Sequence, residues 1–308
     1  MIISKLDNEL SQLLKAQITF LNNPEAQATL SISLQEGQLA DFIDEKSLKR
    51  EIEDLCDLKM VAGEIAFLDS IGRLKKEFVS YFNKNRYVIP KIVKNKGVIE
   101  EISVTGNLVD LILLEFPLVC VIREHVIYRQ IEMDRISYDS FMNEAIRRLQ
   151  TKIDIIRECN LNLYLGADID RVSYDWAAVV MMLLIGELKE SVVGTNHLLT
   201  AFVLDLPTEA FLNDKMWLEH WDKKDIALDI ADSDGWWGAR VPPNPSLIFD
   251  KPKDFKLLID GSNLYNAMHF VQHNPDRNII IELDKGLLDD FGYTWKELKV
   301  TKKIIKNK

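Results

Sequence analysis

Cysteine is scarce in this 308-residue chain: Cys56, Cys120 and Cys159 are scattered and odd in number. They give no disulfide framework and no metal-ligand spacing, and they suggest a reducing compartment. Long apolar runs are missing too. The longest, residues 108–122, is interrupted by Asp110, Glu115 and Pro117, and is too short and too charged to span a bilayer. The opening MIISKLDNEL lacks a signal-peptide pattern, so the expectation is a cytoplasmic protein made in the cell that uses it. Positive charge is in deficit, with 38 Lys and Arg against 48 Asp and Glu, a net charge of −10. That balance argues against a general nucleic-acid or anionic-membrane surface. The chain has no Walker loop, no Gly-x-Gly-x-x-Gly and no nucleophile elbow, which removes the common nucleotide cradles and the hydrolase elbow. No internal repeat is evident.

What is there reads as a soluble globular protein, 47% hydrophobic and 28% charged, long enough for one large or two ordinary domains. Residues 3–21 carry Leu6, Leu10, Leu13, Leu14, Ile18 and Leu21 at helical spacing, ending near Asn22-Asn23-Pro24. Residues 28–34 alternate and predict a strand. Two charged helices are expected over 39–58 and 64–83, the second closing with Tyr81-Phe82. Residues 87–93 and 97–105 read as strands joined by the turn Lys94-Asn95-Lys96-Gly97. This makes residues 1–108 an α+β N-terminal module. Residues 109–308 are expected to form the second domain. Its first stretch, 108–129, reads as a buried helix with Pro117 at a break or first turn, and an amphipathic helix follows over 138–160.

The rest of the chain is organised around residues 161–201. LNLYLGADIDRV, SYDWAAVVMMLLIGELKE and SVVGTNHLLTA form a strand–helix–strand unit with a crossover long enough for parallel strands. Further strand-like runs follow at 225–230, 255–259 and 278–283, and a last one at 298–305. Between them lies SDGWWGARVPPNP (233–245), a run of aromatic and breaker residues. Such a series predicts an α/β fold with parallel strands converging near Gly166, Gly194, Asp229 and Asp260, where ligands would sit.

Each polar feature at those ends has a plain reading beside the functional one. Asp260-Gly261-Ser262-Asn263 would orient a hydroxyl-bearing ligand, or is ordinary turn chemistry. His197, after Gly194-Thr195-Asn196, would serve as acid or base, or is a satisfied polar histidine. Asp229, Asp232 and Asp234 offer oxygens to a divalent ion, but their spacing matches no complete calcium loop. Trp236-Trp237 would stack a ring, or pack. His220, His269 and His273 lack metal-ligand spacing in context, although the last two are four apart, so no metal site is expected.

FLDSIGRLKKEFVSYFNKNRYVIPKI (67–92) and EISVTGNLVDLILLEFPLVCVIRE (101–124) resemble nicotinate phosphoribosyltransferase, in particular its "W-E-V-P-L-L-A-V-I-S-E". Glu115, Pro117, Leu118, Val121, Ile122 and Glu124 fall on that motif. ISKLDNELSQLL (3–14) is similar to the family's opening "L-L-D-T-D-x-Y-K", KLLIDGSNLYNAMHF (256–270) to "L-V-F-S-D-x-L", and LKVTKKIIK (298–306) to a late strand "L-N-I-V-I-K". The resemblance covers almost the whole chain. It implies an irregular β/α barrel of that family's type after the N-terminal module, truncated at its C-terminus relative to the family. It further implies a homodimer, and an activity joining nicotinate to phosphoribosyl pyrophosphate in NAD salvage, a glycosyltransferase reaction.

The functional motifs match poorly. The family's "F-G-T-R-R-R" falls on Leu165-Gly166-Ala167-Asp168-Ile169-Asp170, with Arg171 one place later. "V-G-T-S-N" is partly kept as Val193-Gly194-Thr195-Asn196. The histidine that takes a phosphoryl group from ATP falls on Lys215, with His220 nearby as a substitute. Arg240 is the candidate for the arginine of "R-x-D-S-G-D", and the phosphate loop falls on ELDKGLLDD (282–290), which lacks the glycine pair. The opening tyrosine and lysine are replaced by Ser11 and Gln12, while Asp260 matches the aspartate of "F-S-D". Two readings follow. The first is a catalytically degenerate pseudoenzyme acting as a binding or assembly protein, with a protein partner and no certain cofactor. The second is a divergent phosphoribosyltransferase, in which Arg171, Lys215, Arg240 and Lys285 restore the cations. Phosphoribosyl pyrophosphate, Mg2+ and ATP enter under the second reading alone. The missing cations favour the first.

Overall fold

Alternation in QATLSISL makes β1 (Gln27–Leu34) two-faced, with Ala28, Leu30, Ile32 and Leu34 buried. In the computed structural model β1 is a central strand. The structure describes residues 2–34, 43–159, 161–166, 186–208, 210–212, 236–241, 256–260, 264–282 and 298–305. β1 pairs antiparallel with β3 (Val98–Asn107) on one side and β10 (Leu298–Ile305) on the other; β2 (Lys91–Asn95) completes the order β10-β1-β3-β2. The strand expected at the end of the chain therefore forms, but in the antiparallel sheet rather than the parallel series. Lys96 and Gly97, with φ of 50° and 90°, make the β2–β3 turn. The chain divides into two compact units, of which the first is Met1–Glu144, Ile169–Ala178 and Tyr293–Lys308.

The helices of the first unit depart from the periodicity in three places. α1 (Leu10–Asn22) starts seven residues later than apolar spacing predicts. The Asp7 carboxylate accepts from the Ile3 and Ser4 backbone N–H groups at 2.8 and 3.0 Å and holds the entry as a turn. α2 (Glu45–Cys56) is capped by Asp44. The helix expected over 64–83 is two, α3 (Ala62–Ser70) and α4 (Lys76–Lys84), because Gly72 takes φ 73° and Leu74 turns into the core. α5 (Leu108–Met133) runs through Pro117 without a break and packs on α1, α2 and β1. Pro117 has no N–H for the Leu113 carbonyl four residues back. The buried Asn8 amide donates to that carbonyl at 2.8 Å instead. Asn8→Ala is therefore expected to cost about 1–3 kcal/mol, the penalty of a buried unsatisfied carbonyl; urea unfolding of the two proteins measures it.

Lys5 is a buried cation of this unit. Its Nζ donates to the Phe82 and Asn85 carbonyls at 2.7 and 2.6 Å, where α4 presents unpaired acceptors and the negative end of its dipole. Burial lowers its pKa to about 8, against the opposing pull of Asp110.

The second unit is Ala145–Asp168 and Val179–Gly292, and the greater part of α6 (Tyr138–Cys159) belongs to it. Its strands are β4 (Leu163–Leu165), β5 (Val192–Thr195), β6 (Ala210–Leu212), β7 (Trp236–Val241), β8 (Lys256–Asp260) and β9 (Ile279–Glu282). All pairs are parallel, in the order β5-β4-β9-β8-β7-β6. Thr195 of β5 makes a parallel bridge to Thr208, just ahead of β6. That bridge joins the two edges, and neighbouring strands then follow chain order around a ring, as in a β/α barrel. Ile259 and Ile279 pack on Phe270 of α8 (Leu264–His273), whereas Tyr164, Leu258 and Ile280 pack together on the alternate face. β7 lies inside the run of aromatic and breaker residues, so Trp236, Trp237 and Arg240 are strand residues. Pairing with β8 outweighs their local signal. The expected strand at 225–230 and most of the helix ahead of β5 lie outside the described residues.

Candidate ligand site at the strand ends

Parallel pairing sends all six strands the same way, so Leu165, Thr195, Val241, Asp260 and Glu282 end on one rim. Three of the four expected convergence points, Gly166, Gly194 and Asp260, lie there; Asp229 is outside the described residues. Register places Asp260 opposite Glu282, and Glu282 opposite Tyr164. Glu282 is buried, 5% exposed, and Tyr164 is 1% exposed. Two acidic residues thus stand on adjacent strand ends. Sequence reading left Glu282 out of the candidate residues. Its signal was a lone charge closing the apolar run IIIE, at the mouth of a fully buried strand.

Gly194, Thr195, Asn196 and His197 are all in the described part, and the polar groups with resolved contacts serve the seam of the barrel. Thr195 Oγ1 donates to the Leu165 carbonyl at 2.8 Å, and the Thr195 N–H donates to the Pro207 carbonyl at 3.0 Å. Gly194 is required by that approach: a Cβ there would lie 2.8 Å from the Pro207 oxygen. Gly194→Ala is expected to destabilise the fold by roughly 1–3 kcal/mol through overpacking, read as a lower melting temperature. Asn196 is half-buried.

His197 is 1% exposed and caps α7 (Leu198–Leu204). Its N–H donates to Thr195 Oγ1 at 3.1 Å, and its Nδ1 accepts from the Thr200 N–H at 3.3 Å and meets Thr200 Oγ1 at 2.8 Å. Burial lowers its pKa to about 4, so the ring is neutral near pH 7. Arg240 stands on β7 opposite Leu258, two positions short of the Asp260 level. Arg171, Lys215, His220, Gly261 and Lys285 lie outside the described residues, as do Asp229, Asp232 and Asp234. Among the described residues no group of three or more His, Cys, Asp or Glu could hold a metal ion. No described helix is long and apolar enough to cross a membrane. A cavity of about 140 Å³, lined by Asn162, Asn274, Arg277 and Asn278, lies at the opposite, N-terminal ends of β4 and β9.

The family described as nicotinate phosphoribosyltransferase (NAPRTase) N-terminal domain matches residues 6–123. A nicotinate phosphoribosyltransferase of Cupriavidus necator is 26% identical over 205 residues, 64% of this chain and 50% of the relative. One from Acidovorax is 29% identical over 191 residues, 59% of this chain and 46% of the relative. The nicotinate phosphoribosyltransferase structure from Porphyromonas gingivalis superposes with a TM-score of 0.76 at 15% identity, covering 99% of this chain and 90% of that one. The one from Vibrio cholerae gives 0.77 at 15% identity, over 98% and 86%. Together these matches indicate the nicotinate phosphoribosyltransferase family. The chain spans about half the length of the curated nicotinate phosphoribosyltransferases it matches. The N-terminal-domain match takes in β1, β3 and α5 as far as Arg123, and so includes the Asn8–Leu113 contact beside Pro117. On the rim, Gly194 and Thr195 hold the seam.

Proposed function

We propose that this chain is a catalytically degenerate relative of the nicotinate phosphoribosyltransferases. It works in the cytoplasm as a binding or assembly protein, as a homodimer or with a protein partner. The observation that carries this reading is the acidic rim. Buried Glu282 stands in register with Asp260 on the adjacent strand, at the point where the resemblance would begin the family's phosphate loop. A carboxylate there repels a pyrophosphate, and the ELDKGLLDD sequence after β9 supplies no glycine pair for amide donors. Gly194, Thr195 and His197 make contacts within the seam, which supports a structural use for them.

One observation favours the second reading, a divergent phosphoribosyltransferase. The Porphyromonas gingivalis structure superposes over 99% of the chain, and four cations, Arg171, Lys215, Arg240 and Lys285, lie in the sequence after residue 161. Calorimetric titration with phosphoribosyl pyrophosphate and Mg2+, with and without nicotinate, separates the two. The first reading predicts no saturation up to about 1 mM, where a site worth about −4 kcal/mol would be half filled. Saturation in the micromolar range would overturn it.

A further inference from the structure

α8 buries Ala267 and Phe270 against the sheet and leaves its other side in solvent. On that side stand His269 and His273, both exposed, one helical turn apart. Their ring centroids are 4.0 Å apart and their planes 28° from parallel. The core does not explain this pair, since neither ring packs into it.

The ring chemistry is set by one hydrogen bond. His273 Nδ1 lies 2.8 Å from the His269 carbonyl oxygen. A carbonyl only accepts, so in the neutral ring Nδ1 carries the proton and the lone pair is on Nε2. That is the arrangement found at metal-bound histidines, where the second ring nitrogen donates to a carbonyl and fixes the tautomer. His269 sits on the neighbouring turn, with its ring already beside that of His273. A transition ion needs nitrogens at about 2.0–2.1 Å, and exposed χ angles can turn both rings onto one ion without disturbing the core. Imidazole pairs suit Zn2+, Ni2+ and Cu2+ rather than Mg2+ or Ca2+.

We propose that His269 and His273 form a bidentate site for a divalent transition-metal ion on the solvent side of α8, separate from the strand-end rim. Water completes the coordination, since no third described His, Cys, Asp or Glu joins the pair.

The test uses the full chain and ZnCl2 in calorimetry, with Cu2+ electron paramagnetic resonance as a second readout. Wild type, His269→Gln and His273→Gln are compared, with circular dichroism to confirm the fold. The expected result is one ion bound by wild type and at least about tenfold weaker binding in each variant, a difference of about 1.4 kcal/mol. The Cu2+ spectrum should show two nitrogen ligands in wild type and one in either variant. Equal affinity in all three proteins would overturn the proposal. So would no binding by wild type, or a Cu2+ spectrum unchanged by both substitutions.

Discussion

Acidification from pH 6.5 to pH 4 is expected to destabilise the wild-type protein by about 3 kcal/mol more than it destabilises His197→Asn. Burial sets His197 at about 4, against an ordinary value of 6.5. Within that window the unfolded ring takes up a proton and the folded ring does not. The unfolded state therefore binds more protons, and stability rises with pH. The contribution is fully present above 6.5 and is lost as pH falls toward 4. Protonation is also wrong for the local contacts. Nδ1 would gain a hydrogen and could no longer accept from the Thr200 N–H. The new charge would sit at the positive end of α7. Asparagine keeps a capping acceptor without titrating in this range. Urea unfolding of both proteins from pH 7.5 to pH 4 measures the difference. Parallel stability curves would show that His197 is not the group responsible.

Phosphoribosyl pyrophosphate is expected to bind this chain roughly a thousandfold to a millionfold more weakly than it binds a relative with its phosphate contacts intact. A hydrogen bond to a charged group contributes roughly 1.5–3 kcal/mol, so three lost contacts amount to about 4.5–9 kcal/mol. The substitutions go beyond loss. Asp168, Asp170 and Asp284 stand in sequence where the resemblance places cations or glycine amides. At the rim, buried Glu282 stands in register with Asp260 on the neighbouring strand. Calorimetry on this protein and a relative in the same buffer is the comparison to make; affinities within tenfold of each other would refute the estimate.

How much of this was legible in the sequence depends on how local each determinant is. β1 was legible because its alternation matches one buried face. The parallel series at β4, β5, β8 and β9 was legible because short apolar runs end at Gly166, Gly194, Asp260 and Glu282. The continuity of α5 through Pro117 was not, because its support comes from Asn8, 105 positions away from Leu113. The sheet membership of β10 was hidden for the same reason: pairing with β1 spans nearly the whole chain. β7 was missed because Gly238 and its neighbours read as a loop until β8 pairs with them. At the site, Gly194, Thr195 and His197 were visible as residue types, but their contacts depend on Pro207 and Thr200 approaching them. Glu282 was visible as an interruption and acquires meaning from its register with Asp260.

The central claim is that the barrel rim no longer supports phosphoribosyl transfer, and turnover measures this most directly. Wild type and His220→Ala would be incubated with labelled nicotinate, phosphoribosyl pyrophosphate and Mg2+, with and without ATP. The sequence resemblance sets Lys215 against the phosphorylated histidine, and a protonated lysine is a poor nucleophile near neutral pH. No labelled nucleotide is expected from either protein, with circular dichroism showing both folded. Labelled product from wild type that disappears in His220→Ala would contradict the account and identify a working, rebuilt active site.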